Sequence, residues 1–177
     1  MSQRILLFLL SAIGGAIVLA VFWPPHHGAR HNARRASCQW NLKQILLAAN
    51  QYAQDYDGKL PRQPWGKKVL LYSKNEKLFF CLETNSSPGA NDYFWNARFL
   101  GQEQSEIKDP KTLILIGDGQ PNAPLEASLS AFPPAWRTDE NSPAFRHLSG
   151  ANYGFADGHV KSLRQNRVSD ALRMVLK

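Results

Sequence analysis

At 177 residues the chain is long enough for one modest domain and a further segment. Its composition, 44% hydrophobic and 20% charged with 12 Gly and 11 Pro, excludes collagen-like, coiled-coil and wholly disordered classes. The formal net charge is +7, no acid precedes Asp55, and two cysteines are too few for a disulfide-dense scaffold or a four-thiolate zinc site.

From Ile5 to Trp23 the sequence ILLFLLSAIGGAIVLAVFW runs nineteen residues without a charge. As a helix it spans roughly 28 Å, near the ~30 Å hydrocarbon thickness of a bilayer. Trp23 suits an interface, and Pro24 and Pro25 stop the helix. An uncleaved single-span anchor is the preferred reading. A cleavable secretory signal ending near Val18-Leu19-Ala20 is the competitor. A buried core helix does not suit this length and purity. Residues 26–32 open a basic juxtamembrane linker. Arg30, Arg34 and Arg35 there are expected to contact anionic headgroups, at about 1 kcal/mol per charge near the surface. By the charge rule alone, this basic flank would hold the following domain in the cytoplasm. Nucleic acid is not an expected partner, because no aromatic residues interleave with these charges.

An amphipathic helix is predicted from about Ala33 to Tyr56. Cys38, Leu42, Ile45, Ala49, Tyr52 and Tyr56 recur at spacings of four and three and share one stripe, expected to face a sheet. Asp57-Gly58 ends it. Residues 64–77 read as a short second helix. Leu78–Cys81, Tyr93–Trp95 and Thr112–Ile116 read as strands, the last a central one ending at Gly117-Asp118-Gly119. Residues 120–143 read as a long exposed loop. Residues 151–163 read as a hairpin about a two-residue type I′ turn at Asp157-Gly158, with Phe155 opposite Val160 and Ala156 opposite His159. Residues 168–176 read as a short helix capped by Ser169 or Asp170. The fold class is therefore α+β, mostly antiparallel, in three parts: anchor 1–25, linker 26–32 and globular domain 33–177.

Three segments also carry a family resemblance. They are ARRASCQWNLKQILLAANQYAQDYDGKLP from Ala33 to Pro61, then Phe80-Cys81 followed by IKDPKTLILIGDG, then RHLSGANYGFADGHVKSL from Arg146 to Leu163. In the last, His147 is followed by nine residues and then Asp157-Gly158 and His159. The chain resembles bacterial prepilin-type proteins with a C-terminal His-x(9)-Asp-Gly domain, a pseudopilin-like group. The resemblance implies a hydrophobic helix followed by an amphipathic helix on an antiparallel sheet, with the globular part outside the cytoplasm. That implication is preferred over the charge rule. It also implies association with type II secretion or pilus-like machinery. The usual prepilin signature is missing: Gly14-Gly15 leads into Ala16-Ile17-Val18, and the span has no acid. A plain anchor is therefore expected rather than helical polymerisation.

The resemblance places Cys38 and Cys81 at the family's two cysteine positions, and an extracytoplasmic site would favour a disulfide between them, worth about 4 kcal/mol for a loop of this size. Two buried free thiols are the alternative. His147, Asp157 and His159 include metal-ligand types, but turn and strand roles account for them, so no metal and no cofactor is expected. No activated serine or cysteine context is present, so no enzyme is expected. The expected role is a membrane-anchored structural or interaction protein, with lipids and other membrane or extracytoplasmic proteins as partners. The other readings are an anion- or DNA-binding surface protein of an uptake system and a metal-dependent enzyme.

Overall fold

The computed structural model describes residues 3–22, 26–130, 133, 142, 145–148, 150–164 and 167. The chain divides into two compact units, 1–30 and 31–177. In the first, helix α1 (Gln3–Phe22) is uncharged beyond Arg4 and is long and apolar enough to cross a membrane. None of that span is buried by protein, and Phe8 is 80% exposed. Trp23, Pro24 and Pro25 lie outside the described residues, as do the predicted tail helix at 168–176 and most of 131–144.

Helix α2 (His26–Asp55) begins seven residues before the predicted start at Ala33, so 26–32 is helical rather than an irregular linker. The six residues 26–31 include no proline and no acid, and nothing in them interrupts a helix once Pro25 is passed. From His31 onward α2 belongs to the globular unit. Cys38, Leu42, Ile45, Ala49 and Tyr52 are buried, as the stripe predicts, and Leu46 beside them is buried too. Tyr56 is not. It lies beyond the helix end, 51% exposed, and its ring stacks on Tyr52 at 4.1 Å. Asp57 and Gly58 both take positive φ and turn the chain away.

Helix α3 (Trp65–Ser73) falls within the predicted second helix. Of the residues predicted as a first strand, Leu78–Cys81, the first two instead end a 3-10 turn, Glu76–Phe79, capped by the Asn75 side chain. Leu78 and Phe79 still enter the core, so burial was readable there but conformation was not. The strands are β1 (Asn91–Asn96), β2 (Ile114–Ala123), β3 (Ser128–Leu129), β4 (Gly150–Phe155) and β5 (Val160–Arg164). They form one sheet in the order β3-β1-β2-β4-β5. All pairings are antiparallel except the short β1–β3 ladder. Strand β2 is central, as predicted, but continues to Ala123 through residues expected to begin a loop.

The sheet separates two hydrophobic clusters. On one side Tyr93, Trp95, Leu115 and Ile116 pack with Cys38, Leu42, Ile45, Leu46 and Ala49 of α2. On the other, Phe94, Ile114, Phe145, Ala151, Tyr153, Phe155 and Leu163 pack together. Gly154 allows the close approach of α2. A Cβ there would meet Leu46 Cδ1 and Ile116 Cγ2, each at 2.7 Å. The β4–β5 hairpin differs from expectation by one residue. Tyr153 pairs with Lys161 and Gly154 with Val160. Gly158 N–H donates to Phe155 O, and of the two turn residues only Gly158 has positive φ, at 86°. A type I′ turn needs positive φ at both central positions; here the glycine follows the turn, as in a bulged hairpin. A one-residue slip exchanges the faces of the return strand. Leu163 therefore joins Tyr153 and Phe155, and Val160 packs with the α2 cluster.

Candidate functional site

The three segments of the resemblance meet at one buried node. Cys38 comes from α2, Cys81 follows the 3-10 turn, Asp118 lies on β2, and Arg146 and His147 form the turn before β4. Cys38 Sγ lies 2.8 Å from Cys81 Sγ, and both cysteines are free. Cys81 Sγ is 3.2 Å from His147 Nε2, which is 3.5 Å from Asp118 Oδ2. Cys38 and Asp118 are fully buried, and Cys81 and His147 are each 2% exposed. Asp118 Oδ2 accepts the Asn152 backbone N–H at 2.6 Å, and Asp118 Oδ1 lies 3.5 Å from Arg146 Nη2. Arg146 also donates to the carbonyls of Gly119 and Asp92. Among the described residues His147 Nδ1 has no hydrogen-bond partner. The environment of Nε2 therefore sets the tautomer, and that environment is sulfur and carboxylate.

These contacts shift the protonation of each group. The hydrogen bond shared with Cys81 draws the Cys38 thiol below its ordinary pKa despite burial. The same contact, with burial, pushes the Cys81 thiol up. Burial disfavours charge on His147, but the hydrogen bond to Cys81 and the nearby Asp118 carboxylate outweigh it and raise its pKa. Burial raises Asp118, and the Arg146 and His147 charges offset only part of that.

Asp92 anchors the loop that holds Cys81. It is fully buried and accepts from the Cys81 backbone N–H at 2.7 Å, from the hydroxyls of Thr84 and Ser86, and from Asn122 N–H. A buried carboxylate is tolerated where several donors converge on it. Sequence reasoning missed this residue. It sits inside the turn-rich run NSSPGAND and looked like an ordinary loop acid.

Both cysteines of the expected pair are thus brought together, but the His-x(9)-Asp-Gly residues are divided. His147 enters the buried node. Asp157 and His159 lie at the partly exposed hairpin turn, where Asp157 Oδ1 meets His159 Nδ1 at 2.6 Å and the His159 ring stacks on Phe155 at 4.1 Å. The His159 contacts bring the Asp157 carboxyl below its ordinary pKa, against the opposing effect of burial. Gly158 serves the turn and accepts Lys43 Nζ from α2 at 2.6 Å. The two ends of the motif therefore make separate contacts: His147 meets Cys81, whose sulfur meets Cys38 of α2, and Gly158 meets Lys43 of α2. Of the basic residues expected at lipid headgroups, Arg30 is exposed. Arg34 pairs with Glu83 at 3.2 Å, and His31 joins the same carboxylate at 2.9 Å. Arg35 is half-buried.

A family model described as "Protein of unknown function (DUF1559)" matches residues 27–106, a little under half of the chain. That family is associated with prepilin- and pseudopilin-like proteins. The matched stretch contains Cys38, Cys81 and Asp92 but ends before Asp118 and the His-x(9)-Asp-Gly segment. No curated protein and no solved structure matches the chain.

Proposed function

We propose that this chain is a membrane-anchored, pseudopilin-like structural and interaction protein, an accessory subunit of a larger secretion- or pilus-like complex. Helix α1 is its single span in the cytoplasmic membrane, and the head lies on the extracytoplasmic side. The supporting observation is architectural: an apolar helix precedes a head in which one long helix covers one face of a mainly antiparallel sheet. The family match over 27–106 agrees with it. The cysteine–histidine node is buried at 0–2% exposure, so this reading places contact with partners on the surface of the head. On α2, Trp40 and Leu47 lie one heptad apart, 63% and 45% exposed, and offer apolar contacts to a neighbouring protein. In an oxidising compartment Cys38 and Cys81 close to a disulfide that ties α2 to the loop before β1.

Two measurements test this reading. Intact cells treated with a membrane-impermeant lysine reagent should show labelling of the head, and detergent extracts should yield a partner at fixed stoichiometry. A head labelled only after lysis would place it in the cytoplasm and overturn the proposed orientation. Long homopolymers without a second protein would favour a filament subunit instead.

A further inference from the structure

The disulfide proposed above is one state of the node, and the geometry points to a second. We propose that in the reduced protein Cys38, Cys81 and His147 form a binding site for a d10 cation of the Zn2+ type, with Asp118 as the neighbouring carboxylate. The three donor atoms, two Sγ and one Nε2, lie within 4.8 Å of one another and come from residues at most 2% exposed. Thiolate and imidazole are the donors that such cations prefer. Around tetrahedral zinc, bonds of about 2.0–2.3 Å hold donors roughly 3.3–3.8 Å apart. The Cys81–His147 separation of 3.2 Å and the His147–Asp118 separation of 3.5 Å are already near that spacing. The sulfur pair, at 2.8 Å, must open by about 1 Å.

Charge is compatible with this occupant. Two thiolates offset a divalent cation, while Asp118 keeps Arg146 opposite it. The His147 turn is held by backbone bonds in both directions between His147 and Gly150, so the backbone that carries the imidazole is fixed before the cation arrives. Asp92 likewise fixes the backbone of Cys81. Preorganised ligands lose little freedom on binding.

The two states interconvert by a balanced exchange. A disulfide-exchange oxidant RSSR accepts two electrons from the paired thiolates. The Cys38–Cys81 bond forms, the R–S–S–R bond breaks, two protons from solvent complete two RSH, and Zn2+ is released. The node then changes from a metal site to a covalent staple between the same two elements.

The test uses the full chain in detergent, without a histidine tag, reduced and kept free of oxygen. Co2+ is added as a spectroscopic probe and Zn2+ as competitor. The expected result is a sulfur-to-cobalt charge-transfer band that saturates at one equivalent per chain and is abolished by Zn2+. Adding oxidised glutathione should then release the Zn2+ as the chain loses two hydrogens by mass. His147→Gln leaves both thiols in place and should weaken binding by more than the roughly 10–100-fold that loss of an outer-shell partner costs. A reduced wild-type chain, folded by circular dichroism, that gives no charge-transfer band overturns the proposal. So does a band that His147→Gln leaves unchanged, since the imidazole would then hold nothing. If a variant fails to fold, the wild-type titration decides alone. Cation binding is independent of membrane side, so a head found in the cytoplasm would overturn the proposed orientation and leave this site standing.

Discussion

Glu83 shows how a single side chain ties the basic start of the head to the rest of it. Burial alone would raise its pKa, but His31 and Arg34 outweigh that and bring it below the ordinary 4.5. A carboxyl held below its unfolded value stabilises the fold above that value, and the contribution disappears as pH falls through the folded-state value. Both basic partners are more than 40% exposed, so the contribution is at most about 1 kcal/mol. Glu83→Gln should lower the thermal midpoint of the detergent-solubilised chain at about pH 6, and the gap to wild type should shrink as pH falls below the ordinary 4.5 of Glu83. A gap of constant size across that range would show that the pair is not its source. The same side chains revise the reading of the basic segment. Counting charges pointed Arg34 at lipid headgroups, whereas an acid 49 residues away claims it. The node was legible only in part for a similar reason. Cys38, Cys81 and His147 each stood out as residue types, but their convergence spans 43 and 66 residues of chain, and local pattern does not encode such distances. Asp118 stood out as the end of a strand and not as a partner of the cysteines, and the backbone N–H of Asn152 that it accepts has no signature in sequence.

Among elements, α2 was the most legible, because a stripe of apolar residues at helical spacing requires a surface to cover it. The hairpin was legible as an element but not in register. Asp-Gly signals a turn, yet two turn types use that dipeptide, and they differ by one residue in pairing. The backbone decides between them at Gly158. Because Gly158 has φ of 86°, Gly158→Ala should cost about 1–2 kcal/mol from conformation alone, since a Cβ there would find only distant neighbours. Gly154→Ala should cost about 1–3 kcal/mol by a different route, overpacking between Leu46 and Ile116. Urea unfolding followed by tryptophan fluorescence reads both. Equal stability of Gly154→Ala and wild type would mean that α2 can move off the sheet at that point, and the close approach would then have no energetic consequence. The 3-10 turn at Glu76–Phe79 marks the limit of apolar patterning. A short apolar run identifies the core residues Leu78 and Phe79 but not the backbone conformation that delivers them.

At the scale of the whole molecule, the two units solve burial differently. The head buries its apolar residues on both faces of a five-stranded sheet. Helix α1 buries none of its span, leaving Leu7, Phe8, Ile13, Ile17 and Leu19 more than half exposed. Monomeric soluble proteins rarely leave so large a contiguous apolar surface in water, so this helix needs lipid or another protein around it. Near the middle of the span, Leu9 and Ile13 lie one turn apart on the same side. An arginine at the centre of a membrane helix costs about 2.5–3.5 kcal/mol on the insertion scale, and two such residues offset the gain from several leucines and isoleucines. The double variant Leu9→Arg/Ile13→Arg should therefore move from the membrane pellet to the soluble fraction after alkaline extraction. Its head should keep the wild-type unfolding midpoint, because no core residue of the 31–177 unit is altered. Retention in the pellet with both arginines in place would mean that α1 is not what holds the chain to the membrane, and attachment would then pass to the basic segment or to a partner protein. Loss of the head's midpoint together with release would mean that the two units do not fold independently.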